Sequence, residues 1–129
     1  LMIAQYTQAA MVAENRRLAA PASVDSMPTS AMQEDHVSMG WGAARKLRAS
    51  LDNLAGILGI ELVAAARGLE LRRPLEPAAP TAAALACVRE DVPGFGTDRW
   101  LSPELEAAKR LVRSGVVLEA VEADAGALL

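Results

Sequence analysis

The sequence predicts an all-α chain, a long-helix bundle fragment with one helix of about 40 residues and shorter helices beside it. Three observations carry this expectation. Alanine, the best helix former and a small core filler, occurs 27 times among 129 residues. Aromatic residues make up only 3%, too few for the ring-dominated core usual at this size. An apolar stripe also recurs at helical spacing from Val37 to Leu69, whereas no segment alternates as a half-buried strand does. Helices of small residues approach closely and leave apolar surface that needs partners.

The elements follow in chain order. Met2, Ile3, Tyr6, Ala10, Ala13 and Leu18 recur at helical spacing, so residues 1–18 read as a helix. No Ser, Thr, Asp or Asn precedes Leu1 as a cap, which leads us to expect a chain cut from something longer. Pro21, Ser23, Asp25, Ser26, Pro28 and Thr29 then make a loop of about a dozen residues, a length often tied to function. Ser30-Ala-Met-Gln33 fits a Ser-x-x-Gln capping box. It predicts the long helix over 32–71. Val37, Trp41, Ala44, Leu47, Leu51, Leu54, Leu58, Leu62, Ala65 and Leu69 form its stripe. At 1.5 Å per residue such a helix spans about 60 Å, more than a 13.5 kDa globule can cover. Gly40, Gly42, Gly56, Gly59 and Gly68 read as sites of close packing, since no phosphate-cradle context surrounds them. Arg72, Arg73, Pro74, Pro77 and Pro80 end the helix in an extended linker. A short helix over 81–89, a turn over 92–96, and a helix over 102–114 follow. The last starts at Ser102-Pro-Glu104 and stops at Gly115. The tail after Glu119 reads as loose. Two parts result: 1–72, helix–loop–long helix, and 73–129, Pro-rich linker and short helices.

Composition excludes several classes. A net charge of -3 and pI ≈ 5.1 give no sign of nucleic-acid binding. The longest uncharged run, 1–13, falls short of the roughly 18 to 20 residues of a membrane helix. No basic segment with a cleavage site marks secretion. The single cysteine, Cys87, builds neither a disulfide framework nor a zinc site, so a reducing cytoplasm is the expected compartment.

Chemistry concentrates at residues 23–38. The only histidine, His36, stands beside Gln33, Glu34 and Asp35. Capping explains these groups as well as catalysis does, since acids complement the positive end of a helix. One His and two adjacent acids do not share a helix face, so no metal site is expected. A Ser-His-Asp triad lacks its nucleophile elbow.

The run Pro21-Ala-Ser-Val-Asp-Ser-Met-Pro-Thr-Ser-Ala-Met-Gln-Glu-Asp-His-Val-Ser-Met39 resembles the C-terminal signature of the histidine ammonia-lyases, within the aromatic amino-acid lyase family. Met2-Ile-Ala-Gln-Tyr-Thr7, Glu14-Asn15, Ala43-Ala-Arg-Lys46, Ile60-Glu-Leu62 and Gly68-Leu-Glu-Leu-Arg72 extend the likeness across 1–72. Beyond that it thins to Val92-Pro93 and Asp98-Arg99. The resemblance implies a bundle of long helices in a tetramer and conversion of L-histidine to trans-urocanate and ammonia. It implies a methylidene-imidazolone electrophile formed from Ala-Ser-Gly. It gives Glu34 a catalytic and substrate-binding role near the imidazole and sets Gln33 beside the site; we assign Gln33 a positioning role in substrate binding and His36 a supporting one. Physics agrees for Glu34: a carboxylate at a helix N-terminus accepts an imidazole N–H or moves a proton.

Two departures stand out. Met32 occupies a position commonly held by Asn in the family, and Met makes no amide hydrogen bond. The chain also contains no Ala-Ser-Gly; Ala49-Ser50 is followed by Leu51. The expectation is therefore one wall of an active site, inactive by itself. Alternatives are a non-enzymatic helical assembly module or decayed relative, and a lyase or aminomutase of the tyrosine/phenylalanine branch.

Overall fold

The computed structural model describes residues 1–94 and 96–128. Its elements in order are α1 (Met2–Leu18), short 3-10 turns at Ala22–Val24 and Ser30–Met32, α2 (Gly40–Glu70), α3 (Ala79–Asp91), α4 (Ser102–Ser114) and α5 (Val116–Ala125). No β-strand forms among the described residues, as the alanine content and helical spacing predict.

Helix α2 organises the rest. Its 31 residues span about 46 Å, shorter than the predicted 60 Å. The difference lies at the N-terminus. Ser30, Ala31 and Met32 all adopt left-handed backbone, with φ of 52°, 52° and 70°, and such residues cannot propagate a right-handed helix. The predicted capping box therefore does not form. Helix α2 starts eight residues after Met32, at Gly40, where the Ser38 hydroxyl accepts the Gly40 N–H at 3.3 Å.

Helix α1 lies antiparallel to α2. Gln8 Nε2 donates to the Ile57 carbonyl at 3.0 Å and Asn15 Nδ2 to the Ser50 carbonyl at 3.3 Å. Asn53 Nδ2 donates to Glu14 and Asn15 at 3.0 and 2.9 Å. Helix α4 packs on another side of α2 through small residues. A Cβ at Gly59 would stand 2.8 Å from the Lys109 backbone nitrogen, so glycine there sets how near the two helices come. The core is formed by Val63 and Ala66 of α2, Val88 and Val92 at the end of α3, and Ala107, Ala108 and Leu111 of α4.

The leucine side of α2 stays uncovered. Leu47, Leu51, Leu54 and Leu58 are 59, 53, 44 and 40% exposed. Their spacing continues to the half-buried Leu62 and Leu69, giving an eleven-residue recurrence at 47/58/69 and 51/62, the repeat of a seam with a slight right-handed twist. Trp41 is exposed at the start of the same helix.

By length and composition α2 also passes for a membrane span: an 18-residue window has mean hydropathy 1.4 and at most two charges. The sequence reading missed this because it required an uncharged run, and Asp52 and Glu61 interrupt one. Core helices of soluble proteins pass the same test, and this helix packs on α1 and α4.

The C-terminal part departs from expectation at its end. Helix α3 begins at Ala79, two residues earlier than predicted, with Pro80 in its first turn, where a missing N–H does no harm. Leu101 rather than Ser102 is the N-terminal cap of α4. Gly115 ends α4 in left-handed backbone, φ 79°, as expected. The chain then turns directly into α5 rather than a loose tail, because Val116 and Val117 pack against the core. The turn expected over 92–96 includes Phe95, which lies outside the described residues.

Candidate functional site

Residues 21–39 leave the top of α1 and return to the start of α2. The excursion is closed at its base by Lys46, whose ammonium donates to the Ala20 carbonyl. Inside it the chain folds back as a narrow hairpin. Ser26 Oγ accepts from the Val37 N–H and donates to the Val37 carbonyl, both at 2.9 Å. Three residues further out, Thr29 and Glu34 pair as an isolated antiparallel bridge. The Thr29 N–H donates to the Glu34 carbonyl at 2.9 Å and the Glu34 N–H to the Thr29 carbonyl at 3.3 Å. The Ser26 side-chain clasp on Val37 and the Thr29–Glu34 backbone bridge share one register and close the same fold-back. The left-handed residues Ser30, Ala31 and Met32 make its tip. Met32 N–H donates to the Thr29 carbonyl and Gln33 N–H to the Ser30 carbonyl, at 3.0 and 3.1 Å.

This places the predicted site residues as follows. Glu34 sits on a hairpin rung, not on a helix N-terminus, and the first turn of α2 holds no acid. The helix-end argument for Glu34 is thus replaced by a local one: two backbone bonds fix its main chain, and the Thr29 hydroxyl lies 3.2 Å from Oε2 as a donor. Gln33, Glu34, Asp35 and His36 are all exposed. The hairpin brings Gln33 and Glu34 together at the tip, and no hydrogen bond joins His36 to Glu34 among the described residues. Sequence reasoning passed over Thr29 as a turn residue. The signal that finds it is the bridge itself, which has no local sequence pattern.

An exposed carboxylate, an amide and an imidazole on a braced loop can accept an N–H, orient a polar ligand and carry a proton. They do not enclose a ligand. A cavity of about 290 Å³ lies elsewhere, lined by Val63, Arg67, Arg89, Arg99 and Glu104 among others. Its charges are committed to structure. Arg89 forms a two-pronged pair with Glu70 at 2.8 and 2.9 Å, and Arg99 grips the buried Glu104. The Glu34 hairpin contributes no lining to that cavity. Among the described residues no cluster of three or more His, Cys, Asp or Glu is arranged for a metal ion.

The profile of the family "Aromatic amino acid lyase" matches residues 1–90, and the chain belongs to this family. Among its relatives, histidine ammonia-lyase of Streptomyces avermitilis is 58% identical over 129 residues, covering 99% of this chain and 25% of that protein. The crystal structure of histidine ammonia-lyase from Trypanosoma cruzi superposes with a TM-score of 0.89 at 42% identity, over 95% of this chain and 24% of that one. Tyrosine aminomutase from Streptomyces globisporus superposes at 0.84 with 36% identity, over 94% of this chain and 23% of that one. The chain spans about a quarter of the length of the relatives it matches.

Proposed function

We propose that this chain is the C-terminal quarter of a histidine ammonia-lyase, which converts L-histidine to trans-urocanate and ammonia. The observation that carries the reading is identity of 58% across nearly the whole chain, the Glu34 hairpin included. Glu34 accepts the imidazole N–H of the substrate and holds or moves a proton beside it. Gln33 orients the substrate from the adjoining position, and His36 supports the rim.

The methylidene-imidazolone of such enzymes supplies the electrophile that activates the departing amine. This chain has no Ala-Ser-Gly from which to form it, so its residues do not fit that role and another part of the protein must contribute the group. The leucine face of α2 fits burial against further copies of the chain, in keeping with a homo-oligomer. A reducing cytoplasm suits the buried free thiol of Cys87, whose pKa burial raises first of all, with Glu90 and Asp91 adding to the effect.

The test is a full-length histidine ammonia-lyase whose C-terminal quarter is this chain, assayed for urocanate. Glu34→Ala should lower turnover by about a hundredfold or more, the usual weight of a positioned acid or base. Unchanged turnover would remove Glu34 from the site. The likeness to a tyrosine aminomutase supports a second reading, in which the substrate is tyrosine. Turnover of tyrosine above that of histidine would favour it.

A further inference from the structure

The hairpin has a second member that the functional reading leaves unused. We propose that Thr29 is a positioning residue for Glu34: its hydroxyl, across the hairpin rung, aims the carboxylate that meets the substrate. The inference rests on the proposed role of Glu34 and goes one step past it.

Three features support it. First, the pairing is reciprocal at the backbone. The two N–H···O bonds of 2.9 and 3.3 Å between Thr29 and Glu34 fix the distance between their Cα atoms, so the side chains meet without a search. Second, the Thr29 hydroxyl reaches Glu34 Oε2 at 3.2 Å, a long hydroxyl bond with room to tighten when substrate draws on the other carboxylate oxygen. Third, Thr29 is extended, φ -130° and ψ 179°, the backbone a β-branched residue favours, with few χ1 rotamers open to it. A stiff donor suits orientation better than a flexible one. The tip fixes the rung in turn. Three successive left-handed residues without a glycine are each sterically unfavourable. They persist because the Thr29–Glu34 bridge and the Ser26–Val37 clasp hold both limbs.

The hydroxyl acts through Glu34, so its removal must matter only while Glu34 is present. The experiment uses the full-length enzyme carrying this chain, with Thr29→Val, Thr29→Ser, Glu34→Ala and the Thr29→Val/Glu34→Ala pair. Urocanate kinetics and calorimetric L-histidine affinity are the readouts. Thr29→Val keeps shape and branching and loses the donor; it should lower kcat/KM about three- to tenfold. Thr29→Ser keeps the donor and should stay within about twofold of the parent. On the Glu34→Ala background, Thr29→Val should leave histidine affinity unchanged. Three results would overturn the inference: Thr29→Val equal to the parent, Thr29→Ser as impaired as Thr29→Val, or the same loss of affinity with and without Glu34. If Glu34→Ala itself keeps parental turnover and affinity, the functional reading fails and takes this one with it. Loss in Glu34→Ala alone, with Thr29→Val at parental activity, sinks only the role of Thr29.

Discussion

On one side of α2, Ala55, Gly59, Ile60, Val63 and Ala66 are buried; on the other, Leu47, Leu51, Leu54 and Leu58 remain 40 to 59% exposed. Three of the five buried residues are alanine or glycine, and the exposed face is all leucine. Burial within the chain is achieved by nearness, since small residues let α4 come close enough for backbone to meet backbone. The leucines carry more apolar area and are only about half covered within this chain. Small residues thus close this fold by close approach, with Ile60 the one large side chain among them, and the leucine face keeps apolar area exposed. Hydrophobicity alone does not predict which face a single chain will bury.

The strongest way to break this comparison is to charge the leucine face. Leu51→Asp with Leu58→Asp should weaken self-association by at least about a hundredfold, given about 1.5–3 kcal/mol per buried leucine. Sedimentation equilibrium measures it, and unaltered assembly would mean that the leucines face solvent. The next effect lies on the small face and can be sharpened by running one substitution at two sites. Gly59→Ala drives a Cβ against the Lys109 backbone. Overpacking of about 1–3 kcal/mol should outweigh the helix gain of up to about 1 kcal/mol and lower the melting temperature. Gly68→Ala meets nothing within 4 Å and should raise it, by the helix term alone. Shifts of the same sign in thermal unfolding would refute the distinction.

The smallest effect concerns the strap between the faces. Asp52 of α2 takes Lys109 Nζ at 2.9 Å and also the Arg113 guanidinium, both from α4. The Lys109 hydrogen bond, with the charges of Lys109 and Arg113, outweighs burial and holds the Asp52 carboxyl below its usual 3.8. A depressed carboxyl stabilises the fold above the unfolded value and ceases to do so as pH falls through the folded one. Asp52→Asn should therefore flatten the loss of stability below about pH 4, followed by circular dichroism. Superimposable acid unfolding curves would show that the strap does no such thing.

Much of this fold is legible in the sequence, and what escapes has a common cause. The extent of α1, the end of α2 one residue before Leu71 and the stop at Gly115 follow from local spacing and one glycine. The hairpin does not. Ser30 to Gln33 satisfies a capping pattern locally, yet Ser26 pairs with Val37 and Thr29 with Glu34, and those pairings override it. Left-handed backbone at Ser30, Ala31 and Met32 leaves no trace in composition, because none of the three is glycine. Helix α5 escaped in the same way, since Val116 and Val117 gain helix stability only by packing on the core. For the site, the resemblance points to Glu34, and the structure sets that residue on a hairpin bridge rather than at a helix end.

The hairpin tip has one further consequence, for sequence drift. At positions 30–32 the steric map of the backbone sets the permitted alphabet before chemistry is considered. Left-handed φ admits Asn, Asp and Gly readily and shuts out Val, Ile and Thr. Met32, at φ 70° and exposed, sits at the unfavourable margin of that alphabet, where an asparagine would rest at lower strain. Substitutions in these three letters are thus filtered by shape, even though none of them need touch a substrate.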